Sequence, residues 1–146
     1  MTEDMLRAMT PAELAATIDH TLLRPQATLD DVSRLCAEAF DHGFASVCVN
    51  PVYIGTVARR LEGSAVKACS VVGFPLGATI AAAKADEARR AVEEGAREID
   101  MVIFVGGLKA GEDAAVRDDI AGVVAACRPG GAKCKVILET CLLTDA

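Results

Sequence analysis

The sequence predicts a parallel α/β fold of the barrel type, represented by about five consecutive β-then-α units. Three observations carry this expectation. Strand-like segments alternate with helix-like ones, and their starts fall about 20 to 35 residues apart, the rhythm of a parallel sheet built through helical crossovers. The run Arg97-Glu98-Ile99-Asp100-Met101-Val102-Ile103-Phe104-Val105-Gly106-Gly107 is short, apolar and followed by glycines, as a buried parallel strand reads. Parity within the strands supplies the third. One class is apolar: Ile18 and Leu22, Val47 and Val49, Ala68 and Val72, Met101 and Ile103, Val136 and Leu138. The other holds Asp19 and Thr21, Ser46, Cys48 and Asn50, Lys67 and Cys69, Asp100, and Lys135 and Glu139. An open sheet with helices on both faces would be apolar on both, whereas a polar side shared by five strands describes a barrel interior built around a reaction. Five strands are too few to close an eight-stranded barrel, which takes about 250 residues and typically 200 or more.

The elements follow in order. Thr10-Pro11-Ala12-Glu13 opens a helix with an N-cap, a proline at the first position and a capping-box glutamate, running to about Ala16. Residues 17–23 form the first strand. Thr28 caps the next helix, in which Val32, Leu35, Cys36, Ala39 and Phe40 recur at helical spacing, and Gly43 ends it. Residues 44–50 are the second strand, and Pro51 and Val52 open a helix carried by Ile54, Val57, Ala58 and Leu61. A third strand covers 66–72, with the loop Gly73-Phe74-Pro75-Leu76-Gly77 at its C-terminal end. Thr79 begins an alanine-rich helix that runs to Glu94 and stops at Gly95, leading into the strand of Asp100. A helix over about 112–127 is broken by Pro129-Gly130-Gly131, residues 133–140 form the fifth strand, and Thr144-Asp145 reads as the cap of a further helix.

The bulk numbers fit one domain over residues 1–146: 52% of residues are hydrophobic and 25% charged. A formal net charge of -6 with no basic cluster argues against nucleic acid and against an anionic membrane, while leaving phosphate-bearing small molecules open through local donors. No run approaches the roughly 18 apolar residues of a membrane span. The start Met1-Thr2-Glu3-Asp4 lacks the basic region of a signal peptide, so a cytoplasmic protein is expected. Six cysteines (Cys36, Cys48, Cys69, Cys127, Cys134, Cys141) are scattered without a paired motif or a histidine at zinc-ligand spacing, so metal binding is a poor reading and no cofactor is expected. Most read as small core residues.

Asp100 is the residue that propensity does not explain. An unpaired ionised carboxylate costs several kcal/mol to bury, so it needs a cation, hydrogen-bond donors or a raised pKa, and each makes it a candidate for proton chemistry. Lys67 and Lys135 are the lysines placed on strands with inward parity. A nucleophilic lysine needs a lowered pKa, and a position near the start of its strand favours a paired structural charge for both. Glu139 lies nearer the C-terminal end, where joining the polar cluster and a solvated or salt-bridged role are equal readings. His20 has the opposite parity from Asp19 and reads as a satisfied, helix-facing histidine.

Together the motifs Ile18-Asp19-His20-Thr21-Leu22-Leu23, Ser46-Val47-Cys48-Val49-Asn50-Pro51, Val71-Val72-Gly73-Phe74-Pro75-Leu76-Gly77, Glu98-Ile99-Asp100-Met101-Val102 and Lys135-Val136-Ile137-Leu138-Glu139-Thr140-Cys141-Leu142-Leu143-Thr144 resemble the bacterial deoxyribose-phosphate aldolase family over essentially the whole chain. The resemblance implies a TIM (β/α)8 barrel, here about its first five βα units, and a class I aldolase. Such an enzyme cleaves 2-deoxyribose 5-phosphate to glyceraldehyde 3-phosphate and acetaldehyde without a metal or other cofactor. It implies Asp100 as proton donor and acceptor, Asp19 as a supporting acid, and Cys48 as a lining residue of the substrate pocket, with Asn50 beside it. The loop 73–77 would border the same mouth. The family's Schiff-base lysine belongs to a Lys-Thr-Ser-Thr-Gly-Phe-like motif on the sixth strand, and the phosphate-binding glycines come with the last strands. These 146 residues contain neither, so they are expected to be inactive alone and to be the N-terminal part of the enzyme. The alternative expectation is a non-catalytic partial-barrel folding or assembly module, whose open strand edges must self-associate, giving a homo-oligomer, or find the missing half.

Overall fold

The computed structural model describes residues 8–144. The acidic start Met1 to Asp4 and Asp145 of the expected final cap lie outside the described residues. Helix α1 (Pro11–Ala15) and helix α2 (Leu29–His42) both open on capping boxes, the first read from the sequence and the second read there only as the Thr28 cap: Thr10 and Thr28 accept from the amides of Glu13 and Asp31, whose carboxylates reach back. Gly43, at φ 66°, closes α2 in the left-handed region. Strands β1 (Asp19–Leu22), β2 (Ser46–Val49), β3 (Lys67–Val72), β4 (Glu98–Val102) and β5 (Lys133–Ile137) form one parallel sheet in chain order. Helices α3 (Ile54–Arg60, after a 3-10 turn at Pro51–Tyr53), α4 (Ala81–Glu93), α5 (Val105–Lys109) and α6 (Asp113–Cys127) complete the alternation.

Strands β1 and β2 start two residues later than expected, and three further departures have a visible cause. Helix α4 begins at Ala81, not Thr79, and no side chain caps it; Ile80 stays extended, and its carbonyl receives the first amides, from Ala83 and Lys84. The glycines 106 and 107 do not merely end a strand but lie in α5. Gly107 is there for space, since a Cβ would sit 2.5 Å from the ring of Phe104. Strand β5 stops at Ile137, because Glu139 turns into the left-handed region (φ 55°) and a 3-10 turn follows at Thr140–Leu142. Leu138 is therefore half exposed instead of helix-facing, and Lys135 sits at the centre of β5, not near its start.

The apolar parity class meets the helices. Val47, Val49, Ala68, Val72, Ile99 and Met101 pack in one cluster with Val32, Leu35, Val57, Ala88, Ala91 and Val123 of the helices. Full burial of a side chain of this size is worth about 1.5–3 kcal/mol, so this layer supplies much of the fold's stability. His20 turns to the same side, where its ring pairs with Glu38 at 2.7 Å and packs on Phe44. Within the helix layer a lysine is fully buried: Lys84 Nζ donates to Asp119 at 2.6 Å and to the carbonyl of Val102 at 2.9 Å.

The sheet is open but strongly curved, and the register shows it. Thr21, Cys48, Cys69, Glu98 and Lys133 form one continuous row of partners from β1 to β5. Asp19 lies two residues before Thr21 and Lys135 two after Lys133, yet their side chains form an ion pair across the concave side. The contact thus advances four residues over four strand steps. One residue per strand is the stagger of an eight-stranded barrel of shear about 8. The five strands are an arc of such a barrel.

Candidate active site

The polar parity class converges inside this arc. Position by position, the backbone requires it: alternation puts Asp19, Ser46, Cys48, Cys69, Glu98, Asp100 and Lys135 on the concave face, and the stagger brings the two edge strands together over it. Lys135 is the hub. Its ammonium pairs with Asp19, lies 3.3 Å from Asp100 Oδ1 and 3.7 Å from Glu98 Oε2, while Lys67 meets the other oxygen of Glu98 at 3.4 Å. The hydroxyl of Ser46, itself fully buried, donates to Asp19 Oδ1 at 2.5 Å.

The two aspartates are pushed in opposite directions. Burial raises Asp100 above the ordinary carboxylate value, and the shared Lys135 and a hydrogen bond from Cys69 do not offset it. Asp100 Oδ1 is buried and has no aligned hydrogen-bond donor. Burial also works against the charge on Asp19, but hydrogen bonds from Lys135 and Ser46, with the charges of Lys135 and Lys67, outweigh it and leave that carboxyl low. Burial opposes the charge on Lys135 too, and its acidic neighbours override this, raising its pKa and fixing it as an ammonium. A pair of acids whose environments separate their pKa values can divide labour, one holding charge while the other exchanges protons.

Cys48 and Cys69 sit beside one another on β2 and β3, buried with Val71 against Leu23. Cys69 is the thiol raised most, by its hydrogen bond to Cys48 and then by burial. Asn50 follows β2 at its C-terminal end with the parity of Cys48, and its carbonyl accepts from the amide of Tyr53 as the 3-10 turn begins. The loop 73–77 closes on itself through the Gly77 amide and the Gly73 carbonyl (2.8 Å) and presses on the end of β4. Gly77, at φ 64°, leaves no room for a Cβ, which would lie 2.1 Å from the carbonyl of Ile103. Glu139 stays out of the cluster and accepts instead from the Cys141 thiol at 3.2 Å.

The structure therefore gathers Asp19, Cys48 and Asp100 of the expected site residues, with Asn50 at the rim of the same strand ends. Sequence reading passed over Glu98, Ser46 and Cys69 as participants, although parity placed the last two inward; Glu98 shares its parity with Asp100 and was legible by the same rule.

Comparison with known proteins covers most of the chain. The sequence profile described as DeoC/LacD family aldolase matches residues 13–146. The chain is 52% identical over 133 residues to a deoxyribose-phosphate aldolase of Clostridium tetani, covering 91% of this chain and 61% of that protein. To the one of Clostridium novyi it is 56% identical over 126 residues, covering 86% and 56%. Its backbone superposes on the tetrameric deoxyribose phosphate aldolase of Aeropyrum pernix with a TM-score of 0.84 at 42% identity, covering 93% of this chain and 56% of that one. The chain spans about three fifths of the length of the relatives it matches.

Proposed function

Because the chain belongs to the DeoC/LacD aldolase family, we propose that it carries the proton-handling part of a deoxyribose-phosphate aldolase site, in which Asp100 moves the protons. The observation that supports this is the opposed tuning of two aspartates around one fixed ammonium. Cleaving 2-deoxyribose 5-phosphate to glyceraldehyde 3-phosphate and acetaldehyde requires a proton to leave the hydroxyl beside the breaking C–C bond. A proton must then reach the carbon left behind. A carboxyl whose proton affinity is raised by burial can do both, whereas Asp19, held low, keeps Lys135 in place. Cys48 and Asn50 line the path to the reacting aldehyde.

Lys135 is not the Schiff-base amine in this reading. An amine attacks only when unprotonated, and its acidic neighbours hold it charged. The covalent lysine comes instead from a motif these 146 residues do not contain, and the chain alone is inactive. The test is intact mass after incubation with acetaldehyde and borohydride, with a full-length relative as control. Labelling of the control alone supports the reading; an adduct mapped to Lys135 or Lys67 overturns it.

A second reading, as an assembly module, draws on the unpaired outer edges of β1 and β5 and on the tetrameric relative. It has the chain associate with copies of itself, and a monomer by sedimentation with intact near-ultraviolet dichroism would overturn it. Among the described residues no helix is long and apolar enough to cross a membrane; a cytoplasmic location belongs to the same proposal.

A further inference from the structure

We propose that Cys48, Cys69 and Asp100 form a binding site for a thiophilic divalent cation such as zinc, on the concave face of the sheet. Three facts of geometry support it. The two sulfur atoms and a carboxylate oxygen all lie within 4.8 Å of one another. A tetrahedral zinc ion with Zn–S bonds of about 2.3 Å spaces its sulfur ligands about 3.8 Å apart, so side-chain rotation of well under a turn closes the triangle. The two cysteines are direct partners in the ladder, so the backbone already holds both thiols at one level, and Asp100 stands on the neighbouring strand. Finally, Asp100 Oδ1 is buried and, among the described residues, meets no aligned hydrogen-bond donor, only the charge of Lys135 at 3.3 Å.

Charge and softness agree with this choice. Binding replaces two S–H bonds by two metal–thiolate bonds and releases two protons to solvent. Two thiolates and one carboxylate then face the dication, and because the two protons released match the ion's charge, the cluster of Asp19, Glu98, Asp100, Lys67 and Lys135 keeps its single net negative charge. A carboxylate has two oxygens, so Asp100 can face the thiols while keeping Lys135. Thiolate donors select zinc and softer ions over magnesium or calcium, which want oxygen ligands. Nothing in chain spacing announces the site, because its ligands are separated by about twenty and thirty residues and meet only through the register.

The inference stands apart from the reading of the chain as part of an aldolase; only its consequence, that a bound ion occupies the carboxyl assigned to proton transfer, rests on that reading. The reduced 146-residue chain is titrated with cadmium chloride alone, and the ultraviolet thiolate-to-cadmium band and proton release are followed. The expected result is one ion per chain, two protons released per ion, and affinity lower by roughly tenfold or more in Cys48→Ser, Cys69→Ser and Asp100→Asn. Cys127→Ser, on the helix side, leaves binding unchanged. Cys69→Ala serves in place of the serine variant if far-ultraviolet dichroism shows that the buried hydroxyl unfolds the chain. Absence of the band at one equivalent, or its persistence in Cys48→Ser/Cys69→Ser, overturns the site. Neither readout involves turnover, so failure of the metal site and failure of the aldolase reading are separable.

Discussion

Two lysine clusters, on opposite faces of the same sheet, show how differently one ion-pair chemistry can be used. On the helix side Lys84 has no exposure and meets one carboxylate, Asp119, and one carbonyl. Charge is matched one to one. On the concave side Lys135 is shared by Asp19, Glu98 and Asp100, and the second cation, Lys67, reaches only Glu98 among the ion pairs. Three acids face two ammonium groups, so Asp100, which has only the shared Lys135 and no hydroxyl donor such as Asp19 has in Ser46, goes short of compensation. The helix-side pair can only hold the fold together, bracing α4 and α6 against the end of β4. The concave cluster holds an acid whose pKa burial raises, the group proposed to exchange protons. Matched charge is scaffold, and mismatched charge is chemistry.

The largest effect should come from breaking the concave side. In the context of a complete barrel, Asp100→Asn is expected to lower turnover by about 10²- to 10⁴-fold with folding intact. A loss below about tenfold in steady-state kinetics would erase the distinction drawn here. Next comes Lys84→Ala, which strands Asp119 in the helix layer and should cost about 3–5 kcal/mol in urea unfolding of the 146-residue chain. Replacing both partners, Lys84→Met/Asp119→Leu, should recover most of that loss, as expected of a scaffold pair; no recovery would mean that Lys84 does more than compensate Asp119. Gly77→Ala sharpens the boundary between the two faces. With φ 64° and a carbonyl 2.1 Å from the new Cβ, it should lower stability by about 1–3 kcal/mol or more by thermal melting.

The smallest effect is in pH dependence, where the two aspartates should act with opposite sign. Asp100 has a folded pKa above its unfolded value of about 3.9, so the folded chain binds the extra proton. Its contribution is therefore lost as pH rises from about 4 through the folded value, and Asp100→Asn should flatten that decline. Asp19 has a folded pKa below the same reference, so its contribution is present above about 4 and lost as pH falls through the folded value. Asp19→Asn should flatten the acid limb. Denaturant midpoints measured across both limbs check the pair, and equal slopes in the two variants would contradict the opposed tuning.

Much of this was legible before any coordinates. Parity alone separated Val47, Val49 and Met101, which pack on the helices, from Asp19, Cys48 and Asp100, which do not. Thr10 and Thr28 announced their helices by chemistry local enough to read in four residues. Lys84 and Asp119 went unread because each looks like a solvated charge on an amphipathic helix. A signal was present: Lys84 lies on the stripe of Ala88 and Ala91, and Asp119 on that of Val116 and Val123. Two opposite charges, each on the apolar stripe of its helix, are a buried pair waiting for a packing geometry. The end of β5 was missed for another reason. The alternation Val136, Leu138 continues past Ile137, and only the left-handed turn at Glu139 stops the strand.

What the sequence determined by itself was the side of the sheet on which each residue stands, because a period of two is fixed by the backbone whatever the strand packs against. It also determined the order of the elements and, through its motifs, the family. Tertiary structure alone decided which of those inward residues touch. That choice depends on the stagger between strands, a property of the curved sheet that no single strand contains. Advancing one residue per strand brings Lys135 to Asp19 across four strand steps and leaves Asp100 beside two thiols.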